Sequence, residues 1–114
     1  MSDRTIGILG LGIFGSSVLM ALAKQDMNII AIDDHAEHIN QFEPVLARGV
    51  VGDITDEELL RTAGIDTCDT VVVATGENLE SSVLAVMHCK SLGVPRVIAK
   101  VKSQTAKKVL EKIG

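Results

Sequence analysis

The sequence predicts a doubly wound α/β fold, a Rossmann-like parallel sheet of five strands in the order 3-2-1-4-5 with helices on both faces. Three observations predict it. Five short runs are apolar throughout, as strands buried on both faces must be. A segment with helical spacing follows each run, the alternation that builds a parallel sheet. The passage from the first run to its helix crosses Gly10, Gly12 and Gly15, a turn dense in glycine. Right-handed crossovers then leave 3-2-1-4-5 as the economical topology. At 114 residues, with no internal repeat, linker or low-complexity stretch, positions 1–114 read as a single domain.

Each element has its own signal. Thr5 to Leu9 is the first strand, and Ser16 to Gln25, rich in Leu and Ala, the first helix. Asn28 to Ile32 is the second strand, ending at Asp33 and Asp34; a short helix runs from Ala36 until Pro44 interrupts it. The third strand is Gly49 to Gly52. Thr55, with Glu58 three residues on, has the spacing of a capping box and opens a helix through Leu59, Leu60 and Ala63 that Gly64 ends. Thr70 to Ala74 is the most strand-like segment. Asn78 suits the cap of a helix from about Leu79, with Leu79, Val83, Val86 and Met87 on its apolar face and Gly93 and Pro95 as its stop. Arg96 to Ala99 is the fifth strand. Thr105 to Ile113 is the last helix, with Val109, Leu110 and Ile113 on one side.

Composition excludes several functions. Two Phe, no Tyr and no Trp make the core aliphatic and leave no tyrosine acid and no platform for stacking bases. Eleven basic against fifteen acidic residues is the wrong balance for a nucleic-acid surface. No apolar stretch is long enough to cross a membrane, and the first residues, Met-Ser-Asp-Arg, lack the apolar region of a signal peptide, so a cytoplasmic domain is expected. Cys68 and Cys89 are too few and too distant in sequence for a metal motif and are expected as reduced, buried thiols.

In this topology ligands bind at the carboxyl ends of the strands, where the winding reverses between strands one and four. The loop Gly10-Leu-Gly-Ile-Phe-Gly15 follows a strand and opens a helix, and Asp33 lies eighteen residues beyond Gly15 at the end of the second strand. That context makes the glycine pattern a dinucleotide fingerprint. Gly10 permits the tight turn, Gly12 the approach of a phosphate, and Gly15 close packing of helix on strand, with the helix amino end facing the anion. Asp33 would hold the two ribose hydroxyls of an adenosine, and its charge would repel a 2′-phosphate, against NADP. Asp34 is a less well placed alternative. His35 either lines the pocket edge or is solvated. Asp53 is either an adenosine contact or a turn carboxylate supporting the helix that Thr55 starts. Gly76, between Thr75 and Glu77, lets backbone pass close to a nucleotide. Lys100 and Lys102 either reach a phosphate or form a solvated edge, and His38 and His88 are read as structural. No catalytic residue and no metal ligand is assigned. A His-carboxylate pair suited to hydride transfer and a substrate domain are both missing from the pattern, so a nucleotide here would act as a signal.

The runs IGILGLGIFGSSV, AIDDH, VVGDITDEELL, DTVVVATGENLESS and AKKVLEKIG, in that order and over nearly the whole chain, resemble the KTN or RCK domains of bacterial potassium transport, of TrkA and KtrA type. The resemblance implies a cytosolic regulatory subunit, peripheral to the inner face of the membrane, that binds NAD or NADH, or else ATP or ADP. It would gate a separate potassium-translocating membrane subunit of TrkH or KtrB type. It places Gly10, Gly12, Ile13, Phe14 and Gly15 against the nucleotide and Asp33, Asp34 and His35 at its ribose. Asp53 and Ile54 fall beside the adenosine, Thr75, Gly76 and Glu77 under the nucleotide, and Lys100 near its phosphates. KtrA-like proteins often carry Arg where this chain has Ile13, and an aliphatic side chain cannot make that contact with a terminal phosphate, which favours a dinucleotide or ADP. The family pattern continues past this point into a strand, a dimerising helix and often a C-terminal domain. The chain is therefore expected to be the N-terminal core of a homo-oligomer. The rival reading is the dinucleotide domain of an NAD-dependent dehydrogenase, and a third is a redox sensor using Cys68 and Cys89.

Overall fold

In the computed structural model, residues 4–75, 78–101 and 104–113 are described. The strands are β1 (Thr5–Leu9), β2 (Asn28–Asp33), β3 (Arg48–Val51), β4 (Thr70–Val73) and β5 (Arg96–Ala99). The helices are α1 (Ile13–Leu22), α2 (Ala36–Phe42), α3 (Glu57–Ala63), α4 (Leu79–Ser91) and α5 (Gln104–Ile113). All four strand pairings are parallel, and the order is β3-β2-β1-β4-β5, as expected.

The central strands are apolar on both faces because each face meets its own core. Ile8, Ile29 and Ala31 point to one side and pack with Leu11, Leu19 and Ile39 from the region of α1 and α2. Leu9, Ile30 and Ile32 point to the other and join Leu60, Val71, Val73, Val86 and Leu110. Successive residues of one strand thus anchor opposite layers. The outer strands β3 and β5 bury far less.

Several boundaries differ from the sequence reading. Helix α1 begins at Ile13, three residues early: the Gly12 carbonyl already accepts the Ser16 amide at 2.9 Å, so Gly15 lies inside the helix and not in the turn. Strand β3 starts one residue before Gly49 and stops before Gly52. Pro44 ends α2 as expected, but inside a 3-10 turn over Glu43–Val45; another such turn, Ile65–Thr67, follows α3. The buried face of α4 is Ser82, Ala85, Val86 and Cys89, whereas Leu79 and Met87 are exposed. Apolar identity had outweighed the smaller residues that fit against the sheet.

Thr55 is not the cap of α3. Asp56 takes that place, its Oδ1 accepting the Glu58 and Leu59 amides at 3.1 and 3.3 Å, while the Thr55 hydroxyl donates to Asp53 Oδ1 at 2.7 Å. Gly64 closes the helix at φ 96°, a left-handed conformation that glycine adopts without strain. Asp56→Ala is therefore expected to cost about 1 kcal/mol in urea unfolding, and Thr55→Ala less. The reverse ranking would restore Thr55 as the cap.

Candidate functional site

The loops after β1, β2, β3 and β4 converge on a cleft of about 380 Å³ at the carboxyl edge of the sheet. Its glycine wall is set by close backbone approach. Gly10 has φ +99°, donates its amide to the Ile32 carbonyl at 2.8 Å, and would bring a Cβ to 2.8 Å from Thr75 Cγ2. A Cβ on Gly15 would land on the Gly10 carbonyl, so α1 and the turn touch through backbone. Gly12 differs from both: a Cβ there would meet no described atom within 4 Å, and the residue lines the cleft. No side chain caps α1 among the described residues, and its first turn holds no acidic residue. Its positive end therefore stands beside the open glycine.

Asp33 ends β2 and is 6% exposed. Its Oδ2 accepts the Leu11 amide at 2.6 Å, and its Oδ1 accepts the His35 amide at 2.7 Å, with His38 Nδ1 at 3.1 Å and His35 Nδ1 at 3.3 Å. Burial pushes this carboxyl up, but the two amides and His38 together outweigh it and hold it below the ordinary carboxylate value. Asp33 is thus an ionised group that ties the β2 end directly to the glycine turn. Asp34 is exposed, and its Oδ1 lies 2.7 Å from His35 Nδ1. The Asp34 charge, with the bond to Asp33 next, raises the imidazole of His35 above its ordinary value.

On the third loop Asp53 is occupied by Thr55, whose hydroxyl and amide hold its carboxyl low; Ile54 beside it is buried. Behind this loop stands His88 of α4. Its Nε2 donates to the Thr55 carbonyl at 2.9 Å, and its Nδ1 lies 3.1 Å from Glu57 Oε1. His88 is structural, as read. On the fourth loop the Asn78 side chain caps α4 by accepting the Ser81 amide, and the Thr75 carbonyl accepts the buried Ser82 hydroxyl.

Of the residues singled out in the sequence, Gly10, Gly12, Asp33, Asp34, His35, Asp53, Ile54 and Thr75 line the cleft together. Gly15 lies beneath it. Ile13 and Phe14 are not in the lining: Ile13 is 93% exposed, and the Phe14 ring carries the Lys100 ammonium 5.4 Å from its centroid, outside the cleft wall. Gly76, Glu77 and Lys102 lie outside the described residues. Gly52 and Asn78, at the ends of the third and fourth loops, line the cleft too, as do His38, Ala74 and Ser81, which the sequence does not single out as lining. For His38 a signal existed, its spacing of three from His35 at the head of a helix. Both cysteines are buried, and burial pushes each thiol up to about 12, which suits core groups better than reactive ones.

The TrkA-N domain profile matches residues 6–114. The chain belongs to the TrkA-N domain family. It is 35% identical over 111 residues to Ktr system potassium uptake protein C of Bacillus subtilis, covering 97% of this chain and 50% of that protein. It is 31% identical over 114 residues to Ktr system potassium uptake protein A of the same organism, covering all of this chain and 51% of that one. This TrkA-N domain thus spans about half the length of the curated relatives it matches. Among solved structures, the TrkA-N domain of the inner membrane protein ybaL from Escherichia coli superposes with a TM-score of 0.87 at 16% identity, over 100% of this chain and 84% of that one. The GsuK channel bound to NAD gives 0.81 at 18%, over 99% and 20%. The Shewanella denitrificans Kef C-terminal domain in its AMP-bound form also gives 0.81 at 18%, over 97% and 67%. These likenesses establish the TrkA-N fold for the five-stranded sheet. Among the described residues, no helix is long and apolar enough to cross a membrane.

Proposed function

We propose that this TrkA-N domain binds an adenine nucleotide in the cleft and serves as the regulatory domain of a potassium uptake system, gating a separate membrane subunit. The observation that carries the reading is Asp33: a buried, ionised carboxylate aimed into the cleft and hydrogen-bonded to the amide of Leu11 in the glycine turn. It can accept one ribose hydroxyl at the open lone pair of Oδ2 and a second at Oδ1 in place of an imidazole. Asp34 and His35 flank the same sugar, Asp53 and Ile54 the adenosine, and Thr75 its underside. Phosphates lie over Gly10, Gly12 and the head of α1, whose close approach needs Gly15; Ile13, Phe14 and Lys100 stand at the outer mouth. Because Ile13 supplies no charge to a terminal phosphate, NAD, NADH or ADP is favoured over ATP. Relatives named for potassium uptake, and neighbours of this fold solved with NAD and AMP, support the reading.

On this reading the nucleotide acts as a signal, by preferring one arrangement of the domain over another. Acting from the cytoplasmic face within a homo-oligomer, such coupling amounts to about 1–3 kcal/mol. Calorimetric titration of the folded chain with NADH, NAD, ADP and ATP tests the binding. Saturable heats with NADH, NAD or ADP are expected, and Gly12→Ala is expected to keep the fold while weakening them about tenfold, since its methyl projects where a phosphate would approach. A folded chain silent toward all four at millimolar concentration would overturn the proposal.

A further inference from the structure

Three side chains at one corner of the cleft have a chemistry of their own. Asp33 closes β2, His35 stands before α2, and His38 lies three residues on, within its first turn. Both imidazoles turn Nδ1 toward one oxygen: His38 Nδ1 is 3.1 Å and His35 Nδ1 3.3 Å from Asp33 Oδ1. The three atoms lie within 4.8 Å of one another, and the two rings, 5.0 Å between centroids, are tilted by 38°. An Asx turn accounts for the His35 amide on Oδ1; it does not require two rings to converge there.

A tetrahedral ion with bonds of about 2.0–2.1 Å holds its ligand atoms about 3.3 Å apart. Both Nδ1-to-Oδ1 spacings fall near that value. Two imidazoles and a carboxylate form the donor set that zinc and its neighbours take, whereas magnesium and calcium prefer oxygen throughout. We propose that Asp33, His35 and His38 bind a zinc-class divalent transition-metal ion. The Leu11 amide on Oδ2 and the His35 amide on Oδ1 fix the carboxylate, and the second lone pair of Oδ1, toward which both rings turn, is the one offered to the ion. A neutral ring moves its proton from Nδ1 to Nε2 on binding, and a charged ring releases one proton to solvent, so His35 gives up the proton it shares with Asp34, whose Oδ1 is 2.7 Å away. His35 is exposed and His38 half-exposed, which gives an ion a path in, and three protein ligands leave its fourth position open to the cleft. Both thiols, the softer ligands, are buried and do not compete.

Co2+ serves as the probe, added to the tag-free chain without nucleotide. One equivalent per chain is expected to give the intense visible bands of a four-coordinate ion, which Zn2+ abolishes by displacement and Mg2+ does not. His38→Ala and His35→Ala, each checked for an unchanged thermal transition, are expected to weaken Co2+ about tenfold or more; His38→Gln replaces the first if it does not fold. No saturable uptake by the folded wild type at about 100 µM Co2+, or uptake unchanged in both histidine variants, overturns the site. Since Asp33 is also the proposed ribose anchor, NADH should expel the ion. Metal uptake by a chain that binds no nucleotide would uphold this site and refute the nucleotide reading alone.

Discussion

Gly15→Ala is expected to lower stability by at least about 3 kcal/mol, at or beyond the upper end of ordinary overpacking. The added methyl falls on the Gly10 carbonyl oxygen, 2.9 Å from its carbon and 3.3 Å from Ala74 Cβ. Two of those three atoms are backbone, and no rotamer change clears them. Relief requires α1 to lift from the sheet, which would open the layer where Leu19, fully buried, packs with Ile8 and Ile29. Gly12→Ala, three residues earlier in the same motif, should cost within about 1 kcal/mol because it meets open space at an ordinary φ of −72°. Urea unfolding of the pair separates structural from ligand-facing glycine; equal midpoints would show that the helix–turn contact is soft.

Asp33→Ala should fail twice over. It removes the proposed ribose anchor, expected to cost about 1–3 kcal/mol of nucleotide binding, and it strips the buried Leu11 amide of its acceptor, costing about 1–3 kcal/mol of stability. Asp33→Asn separates the two, since its amide oxygen can still accept from Leu11. The sign of the pH dependence follows from the same contacts. The Asp33 carboxyl is held low in the fold, so its contribution is complete above its unfolded value and is lost as pH falls through the folded one. His35 is raised in the fold, so its contribution is complete below its unfolded value and is lost as pH rises through the folded one. With chelator present, urea midpoints across pH should show both limbs in wild type and a flattened acid limb in Asp33→Asn. The His35 limb should persist in that variant, because the leading cause of its shift is Asp34. An acid limb unchanged in Asp33→Asn would assign acid sensitivity to other carboxylates.

Strand order and the loops that surround the cleft were legible because hydrophobic runs, glycines and Asp33 are local signals. What escaped the sequence depends on contacts across elements. Asp56 rather than Thr55 caps α3 because Asp53 has already engaged the Thr55 amide and hydroxyl, a competition that spacing alone does not reveal. Ser82 and Cys89 rather than Leu79 and Met87 face inward on α4 because the phase of a short helix is set by how closely it packs on β4 and β5, and small residues decide that. Within the site, Asp33 was recognisable from its place at a strand end. His38 carried only the weaker signal of its spacing from His35, because its partner is that same carboxylate five positions away, across the chain reversal between β2 and α2.

The imidazole of His88 has a mechanical consequence. It fastens the Thr55 carbonyl, in the loop after β3, to the last turn of α4, which starts from the opposite half of the sheet. One bank of the cleft is thereby tied to a helix rooted in the other, and that helix packs in turn against α5. The ring adds a directed polar fastening to the apolar contact that Ile54, Leu60 and Ala63 already make with Val86 and Cys89.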